Sequence, residues 1–283
     1  MGTPLSFYAP IWDTWIALFF KPWFLLYQLL RYLILGDGWL RDYYMEASLY
    51  TRTDYLDEKL HQKTLDETQE DASRPENVPD IEIMMVHLFL SHYSPRLTIF
   101  GQGAICDFRD PAYDKSQGGF TLLATVLRPH SRGTVRLHSS DPLDPPLVDL
   151  GFLSEPADHS TLRTAIRLCM RIGDEMRAGG YNTRPFRAPS SGDDAEVDAY
   201  IKEYAQSFLH YSSSCRMGAL DDTAGPGVVD DELRVHGVQN LRVCDASIFP
   251  RIPAAHLQAP VIAVAEKCAD LMKKAAAAAK SGK

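Results

Sequence analysis

GFTLLATVLRPHSRGTVRLHSSDPLDPPLVDL, residues 119–150, is the stretch from which the architecture can be read. GFTLLATVL (119–127) and TVRLH (134–138) are short bounded runs of β-branched, aromatic and aliphatic residues, the composition of strands. RPHSRG (128–133) holds the Pro and Gly of a connection, and SSDPLDPP (139–146) is a turn before LVDL. Upstream, IEIMMVHLFL (81–90) repeats the strand character. The three runs together predict neighbours in one antiparallel sheet.

Beyond this stretch the apolar period changes from strand-like to helical. Leu162, Ile166, Cys169, Met170 and Met176 recur at helical spacing behind Ser154, until Gly179-Gly180 ends the pattern. A second helix starts near Asp193, where Val197, Tyr200, Ile201, Tyr204 and Phe208 share a face and deliver the chain to His210. LRVCD (241–245) reads as a short strand, and Pro260 opens a helix with Val261, Val264, Cys268, Leu271 and Met272 inward. The fold class expected is α+β, an antiparallel sheet covered by helices. The divisions expected are an apolar, aromatic helical capping segment (1–56), a polar linker (57–80), an α+β region (81–235), a strand-loop-helix (236–274) and an unstructured tail (275–283).

From Ile11 to Leu35 the chain is rich in Trp, Phe, Leu and Tyr, and all four tryptophans (12, 15, 23, 39) lie in or beside this run. Asp13, Lys21, Pro22, Gln28 and Arg31 interrupt it, whereas a membrane span needs about 20 apolar residues with few or no charges. Pro22 suits a first helical turn and Gly36-Asp37-Gly38 a stop, so a helix over 22–35 is predicted. Its expected role is a buried or substrate-capping helix, with a membrane-surface or protein contact as alternatives.

The 283 residues, 45% hydrophobic, suffice for a sizeable core. A net charge of -8 without a Lys/Arg-rich run argues against nucleic acid, because phosphate contacts need concentrated positive charge. Five cysteines, an odd number without C-x-x-C, indicate neither a disulfide framework nor a zinc site. His87 and His92 near Cys106 would fall on opposite faces of a strand, so no metal site is expected. No basic n-region precedes the first apolar residues, which with the thiols leads to a cytoplasmic expectation. The absence of G-x-S-x-G removes the nucleophile elbow of α/β-hydrolases.

Two histidines remain as chemistry. His210 in HYSSSCRMG (210–218) and His256 in DASIFPRIPAAHLQAP (245–260) each stand among small residues that allow close approach to a planar ligand. Histidine exchanges a proton near neutrality without special tuning. A base paired with a hydrogen-bond donor is what alcohol oxidation needs, because removing the hydroxyl proton as hydride departs avoids a protonated carbonyl.

At these residues, in VVDDELRVHGVQNLRVCDASIFPRIPAAHLQAP (228–260) and in AVAEKCADLM (263–272), the chain resembles the glucose-methanol-choline family of flavin-dependent alcohol oxidoreductases. More loosely the likeness extends through residues 119–150 to YMEASLYTRT (44–53) and the apolar helix. The resemblance implies a carboxy-terminal portion of such an enzyme, with FAD as cofactor, His210 as base and His256 assisting. It also implies that Asp245, Ala246, Leu257 and Gln258 lie along the flavin, and that residues 236–274 pack in the flavin domain of relatives. Two departures stand out. Ser213-Ser214 replaces the usual Gly-Thr, and no G-x-G-x-x-G is present to hold the pyrophosphate. The expected activity is oxidation of the CH-OH group of an apolar alcohol or related metabolite, with a separate FAD-binding chain or a homo-oligomer completing the site. The alternatives are a flavin-independent isomerase, dehydratase or cyclase on a truncated form of this fold, and a non-catalytic remnant or partner subunit.

Overall fold

A computed structural model of the chain describes every residue except 15, 42–46, 72, 87–113, 115, 224 and 282–283. It divides into two compact units, Met1–Val126 with Pro156–Phe208, and Leu127–Glu155 with Leu209–Lys283. The sequential boundaries expected at 56, 80 and 235 therefore do not mark the units. Strand pairing is the reason, since residues 2–9 and 118–125, far apart in the chain, join the same sheet.

The first unit is a five-stranded antiparallel sheet in the order β2-β3-β4-β1-β7. The strands are β1 (Gly2–Ala9), β2 (Ala47–Thr51), β3 (Ile81–Val86), β4 (Gly118–Val126) and β7 (Arg184–Arg187). Around them run the short helices α1 (Ile16–Phe20) and α3 (Glu67–Glu70), and the longer α2 (Pro22–Leu35), α4 (Pro156–Ala178) and α5 (Asp194–Tyr204). β3 and β4 pair as expected, and the continuation of β3 expected over 87–90 lies outside the described residues. The unexpected strand is β1, GTPLSFYA, buried along its whole length within a segment expected to be helical. A proline ordinarily argues against an inner strand. Here β7 pairs only with Ser6–Tyr8, so Pro4 lies past its end, and the Pro4 carbonyl accepts the Tyr200 hydroxyl at 2.7 Å.

Alternation puts Leu5 and Phe7 on the same side of the sheet as Leu122 and Phe120, their partners in register. Phe7 and Phe120 stack with centroids 5.3 Å apart. α4 crosses this face close enough that a Cβ on Gly173 would lie 2.5 Å from the Phe7 ring. Leu162, Ile166 and Cys169, expected at helical spacing, are buried here. α5 starts at the Asp193 cap, whose carboxylate accepts the Glu196 amide, and it is clasped to α4 by Arg163, which donates to Asp198 at 2.6 Å. α5 ends at Tyr204, so Phe208 falls beyond it; Phe208 instead lies against Gly2.

α2 has the expected bounds; its one buried residue is Gln28, while its large apolar side chains face outward.

The second unit holds a two-stranded ribbon, β5 (Thr134–Arg136) with β6 (Leu147–Asp149), and the long helix α6 (Gln258–Ser281). TVRLH was expected in the main sheet; it pairs with LVD instead. Both edges of β4 are already taken, by β3 and β1, which leaves no ladder for a following strand. LRVCD makes only an isolated bridge, Arg234 with Arg242, rather than a strand. The tail expected to be unstructured is helical through Ser281, since alanine continues a helix with almost no entropic cost and needs no packing to do so. Among the described residues no cluster of His, Cys, Asp and Glu is arranged for a metal, and no helix is long and apolar enough to cross a membrane. The His87, His92 and Cys106 combination lies outside the described residues.

Candidate active site

The segment that begins at His210 has no regular structure of its own; it is fastened sideways. The amides of Ser213, Cys215 and Met217 donate to the carbonyls of Ala246, Ser247 and Ile248 at 3.2, 2.9 and 2.7 Å. Gly218 N–H donates to Val229 and Val228 N–H to Arg216, at 3.1 and 2.9 Å, so three stretches of chain lie side by side. Their apolar side chains close on one core of Val229, Leu233, Ile248 and Cys268, with Met217, Val243, Val264 and Leu271 packed around it. That core joins the His210 segment to α6, and with it to the turn that carries His256. Val264, Cys268 and Leu271 are the inward positions expected of this helix, whereas Met272 is exposed.

Glycine makes the sideways packing possible. A Cβ on Gly227 would lie 2.0 Å from the Gly218 carbonyl oxygen, so no larger residue fits there. Arg216 secures the same corner by pairing with Asp222 at 3.0 Å and donating to the Gly225 carbonyl. His236 Nε2–H donates to the Gly218 carbonyl at 2.9 Å. None of these supports was foreseen; the cluster Gly218, Gly225 and Gly227 was the available signal.

His210 and His256 meet. Their rings are 5.2 Å apart between centroids and stand at 87°, an edge-to-face contact, with His210 half-buried and His256 exposed. Backbone strain brackets the first imidazole: Leu209 has φ +59° and Ser213 φ +69°, both in the left-handed region. Of the residues expected along a flavin, Leu257 is buried at the mouth of α6, Ala246 is half-buried, and Asp245 and Gln258 are exposed. The Asp245 carboxylate caps the short 3-10 turn Ala246–Ile248 by accepting the Ser247 amide at 2.8 Å. Nearby, the Cys244 thiol is pushed up by its hydrogen bond with Cys268 and by burial, which keeps it protonated and poorly nucleophilic.

FAD is the cofactor the resemblance implies, and the residues present fit one end of it. Small side chains at 246 and 254–255, the two imidazoles, and the first amides of α6, which have no intrahelical acceptor, are partners for a flat heteroaromatic ring. For the pyrophosphate the described residues offer no glycine-rich turn between a strand and a helix.

Residues 129–265 match the family model described as GMC oxidoreductase, which covers the ribbon, α4, α5 and both histidines. The matched residues are a carboxy-terminal portion of a GMC oxidoreductase. It is 42% identical over 159 residues to an oxygen-dependent choline dehydrogenase of Vibrio vulnificus, covering 54% of this chain and 27% of that protein. It is 36% identical over 228 residues to the dehydrogenase pkfF of Emericella nidulans, covering 77% of this chain and 34% of the relative. The solved structure of the formate oxidase of Aspergillus oryzae RIB40 superposes on 96% of this chain and 46% of its own length, with a TM-score of 0.71 at 23% identity. The chain thus spans less than half of the relatives it matches and corresponds to a carboxy-terminal portion of the GMC fold.

Proposed function

We propose that this GMC portion supplies the acid-base side of an FAD-linked alcohol oxidoreductase. His210 takes the hydroxyl proton of a CH-OH substrate, and His256 donates a hydrogen bond to the same oxygen. Flavin, when bound, accepts the hydride. The observation that carries this reading is the edge-to-face contact of the two imidazoles, 5.2 Å between centroids. At that spacing one oxygen can be reached by both rings, one neutral and accepting, the other donating. Asp245, Ala246, Leu257 and Gln258 border the ring system, Ala246 and Leu257 through close backbone and the Gln258 end of α6 through its free amides. The rest of FAD requires a glycine-rich turn from other polypeptide, whether a separate chain or another stretch of the same protein. The proposed substrate class is an apolar alcohol.

The test is the visible spectrum, with and without FAD, of the purified protein together with the polypeptide that carries the glycine-rich turn, followed by alcohol-dependent reduction of a dye. Flavin uptake, with turnover reduced about 10²-fold or more in His210→Asn, supports the assignment. Equal turnover by His210→Asn overturns it. Colourless protein that converts an apolar metabolite without added FAD would favour the flavin-independent reading, acid-base isomerisation, dehydration or cyclisation.

A further inference from the structure

The core beneath the two histidines contains a pair of thiols that the acid-base chemistry does not use. Cys268 is 4% exposed and packs with Val229, Leu233 and Ile248, on the face of α6 that also carries Val264 and Leu271. Val243 lies against the same core, held there by its amide, which donates to the Leu233 carbonyl at 3.1 Å. The next residue, Cys244, is thereby brought beside α6, and its thiol is hydrogen-bonded to the Cys268 sulfur. Both cysteines belong to the second unit, so the contact rests on packing within one compact body rather than on an outer surface.

Two thiols in contact can be a polar pair, part of a metal site or a disulfide in its reduced form. A metal site needs further ligands, and among the described residues no third His, Cys, Asp or Glu joins the pair. As a hydrogen bond alone the contact is weak, since sulfur is a poor donor and a poor acceptor. A disulfide requires only that the sulfurs close from hydrogen-bond to covalent distance. The stretch between them gives that bond a consequence. Residues 245–267 contain the Asp245 cap, the segment 246–248 to which the His210 segment is laddered, and His256 with Leu257 and Gln258. Closing this loop covalently removes conformational freedom from it in the unfolded chain.

We propose that Cys244 and Cys268 form a redox-sensitive disulfide that staples residues 241–248 to α6 and so fixes the framework on which both histidines stand. The oxidant is a small disulfide of the oxidised-glutathione class. Cys268 is buried, so Cys244 reacts first: its thiol loses a proton to solvent, and the thiolate attacks one sulfur of the oxidant and expels the other as a thiolate. Cys268, deprotonated in turn, attacks the Cys244 sulfur of the mixed disulfide and expels the second thiolate. The two protein thiols lose two electrons and two protons, and the oxidant gains them as it becomes two small thiols. Because the Cys244 thiol is held protonated, closure is slow at neutral pH and accelerates in base.

The test is incubation of the whole folded chain with oxidised glutathione, followed by alkylation of free thiols, a non-reducing tryptic digest and mass spectrometry. The expected product is the peptide 243–251 linked to 268–273, lighter than the two separate peptides by two hydrogens. Its rate of formation should rise about tenfold per pH unit above neutrality, as the thiolate fraction does. The melting midpoint of the second unit should rise by about 5–10 °C and return on treatment with a thiol reductant. Cys244→Ser should abolish the linked peptide and the rise, and so should Cys268→Ala, which keeps the core apolar; Cys215→Ser should keep both. Any of four results overturns the proposal. These are both thiols alkylated with no linked peptide, Cys244 held as a mixed disulfide with glutathione while Cys268 stays free, Cys244 linked instead to Cys215, or zinc protecting both thiols from alkylation, which would make the pair metal ligands. None of these readouts needs flavin or turnover, so failure here is distinct from failure of the acid-base assignment.

Discussion

Ser213 holds φ at +69° three residues after His210, at the position where the family resemblance expects a glycine. A side chain in that region costs about 1–2 kcal/mol, and glycine's extra freedom in the unfolded chain costs about 0.5–1 kcal/mol. The first outweighs the second, so Ser213→Gly should raise stability by about 0.5 kcal/mol, while Ser212→Gly should lower it; thermal denaturation of both variants checks the sign. Gly227 is the opposite case. Its absent Cβ makes room for the Gly218 carbonyl, and Gly227→Ala should cost about 1–3 kcal/mol because backbone rather than a flexible side chain must move. The two histidines were legible in the sequence because each stands among small residues just outside a helix. The ladder that places them, from Ser213, Cys215 and Met217 to residues 246–248, was not, because backbone hydrogen bonds between irregular segments leave no periodicity.

Among the elements, α4 shows two effects opposing each other at one residue. Gly173→Ala gains about 1 kcal/mol of helix propensity, yet its methyl would meet the Phe7 ring at 2.5 Å, and overpacking costs about 1–3 kcal/mol. Net destabilisation is expected, and Phe7→Leu in the same background should recover part of it in a denaturant titration. The Arg163 clasp between α4 and α5 carries a pH signature. The Arg163 guanidinium holds the Asp198 carboxyl below its ordinary value of 3.8. A lowered carboxyl contributes stability that is fully present above the unfolded value and is lost as pH falls through the folded one. The melting midpoint should therefore drop less steeply below about pH 4 in Asp198→Asn than in the parent. The pair is partly exposed, so its contribution stays under about 1 kcal/mol. The bounds of α2, α4 and β4 were legible from proline, glycine and apolar period. The inward or outward sense of α2 was not, because a helix apolar on most faces has no side that its sequence marks as buried.

For the whole molecule, the division into two compact units predicts two cooperative transitions. Phe7→Ala, in the sheet of the first unit, should lower one denaturant midpoint by about 3–5 kcal/mol of stability, and Ile248→Ala, in the core beneath the histidines, should lower the other by about 2–5 kcal/mol. A single transition shifted equally by both would contradict that division.

By itself the sequence determined the α+β class, the bounds of the longer helices and the pairing of β3 with β4, and it singled out the two histidines as candidates, because all of these are written in local period, local turn residues or motif. Only the tertiary structure decided that residues 2–9 form an inner strand, that TVRLH leaves the main sheet, and that α2 leaves its apolar side chains exposed. Each of those depends on which edge or face is already occupied by chain more than a hundred residues away, or is left unoccupied, and no local pattern records that.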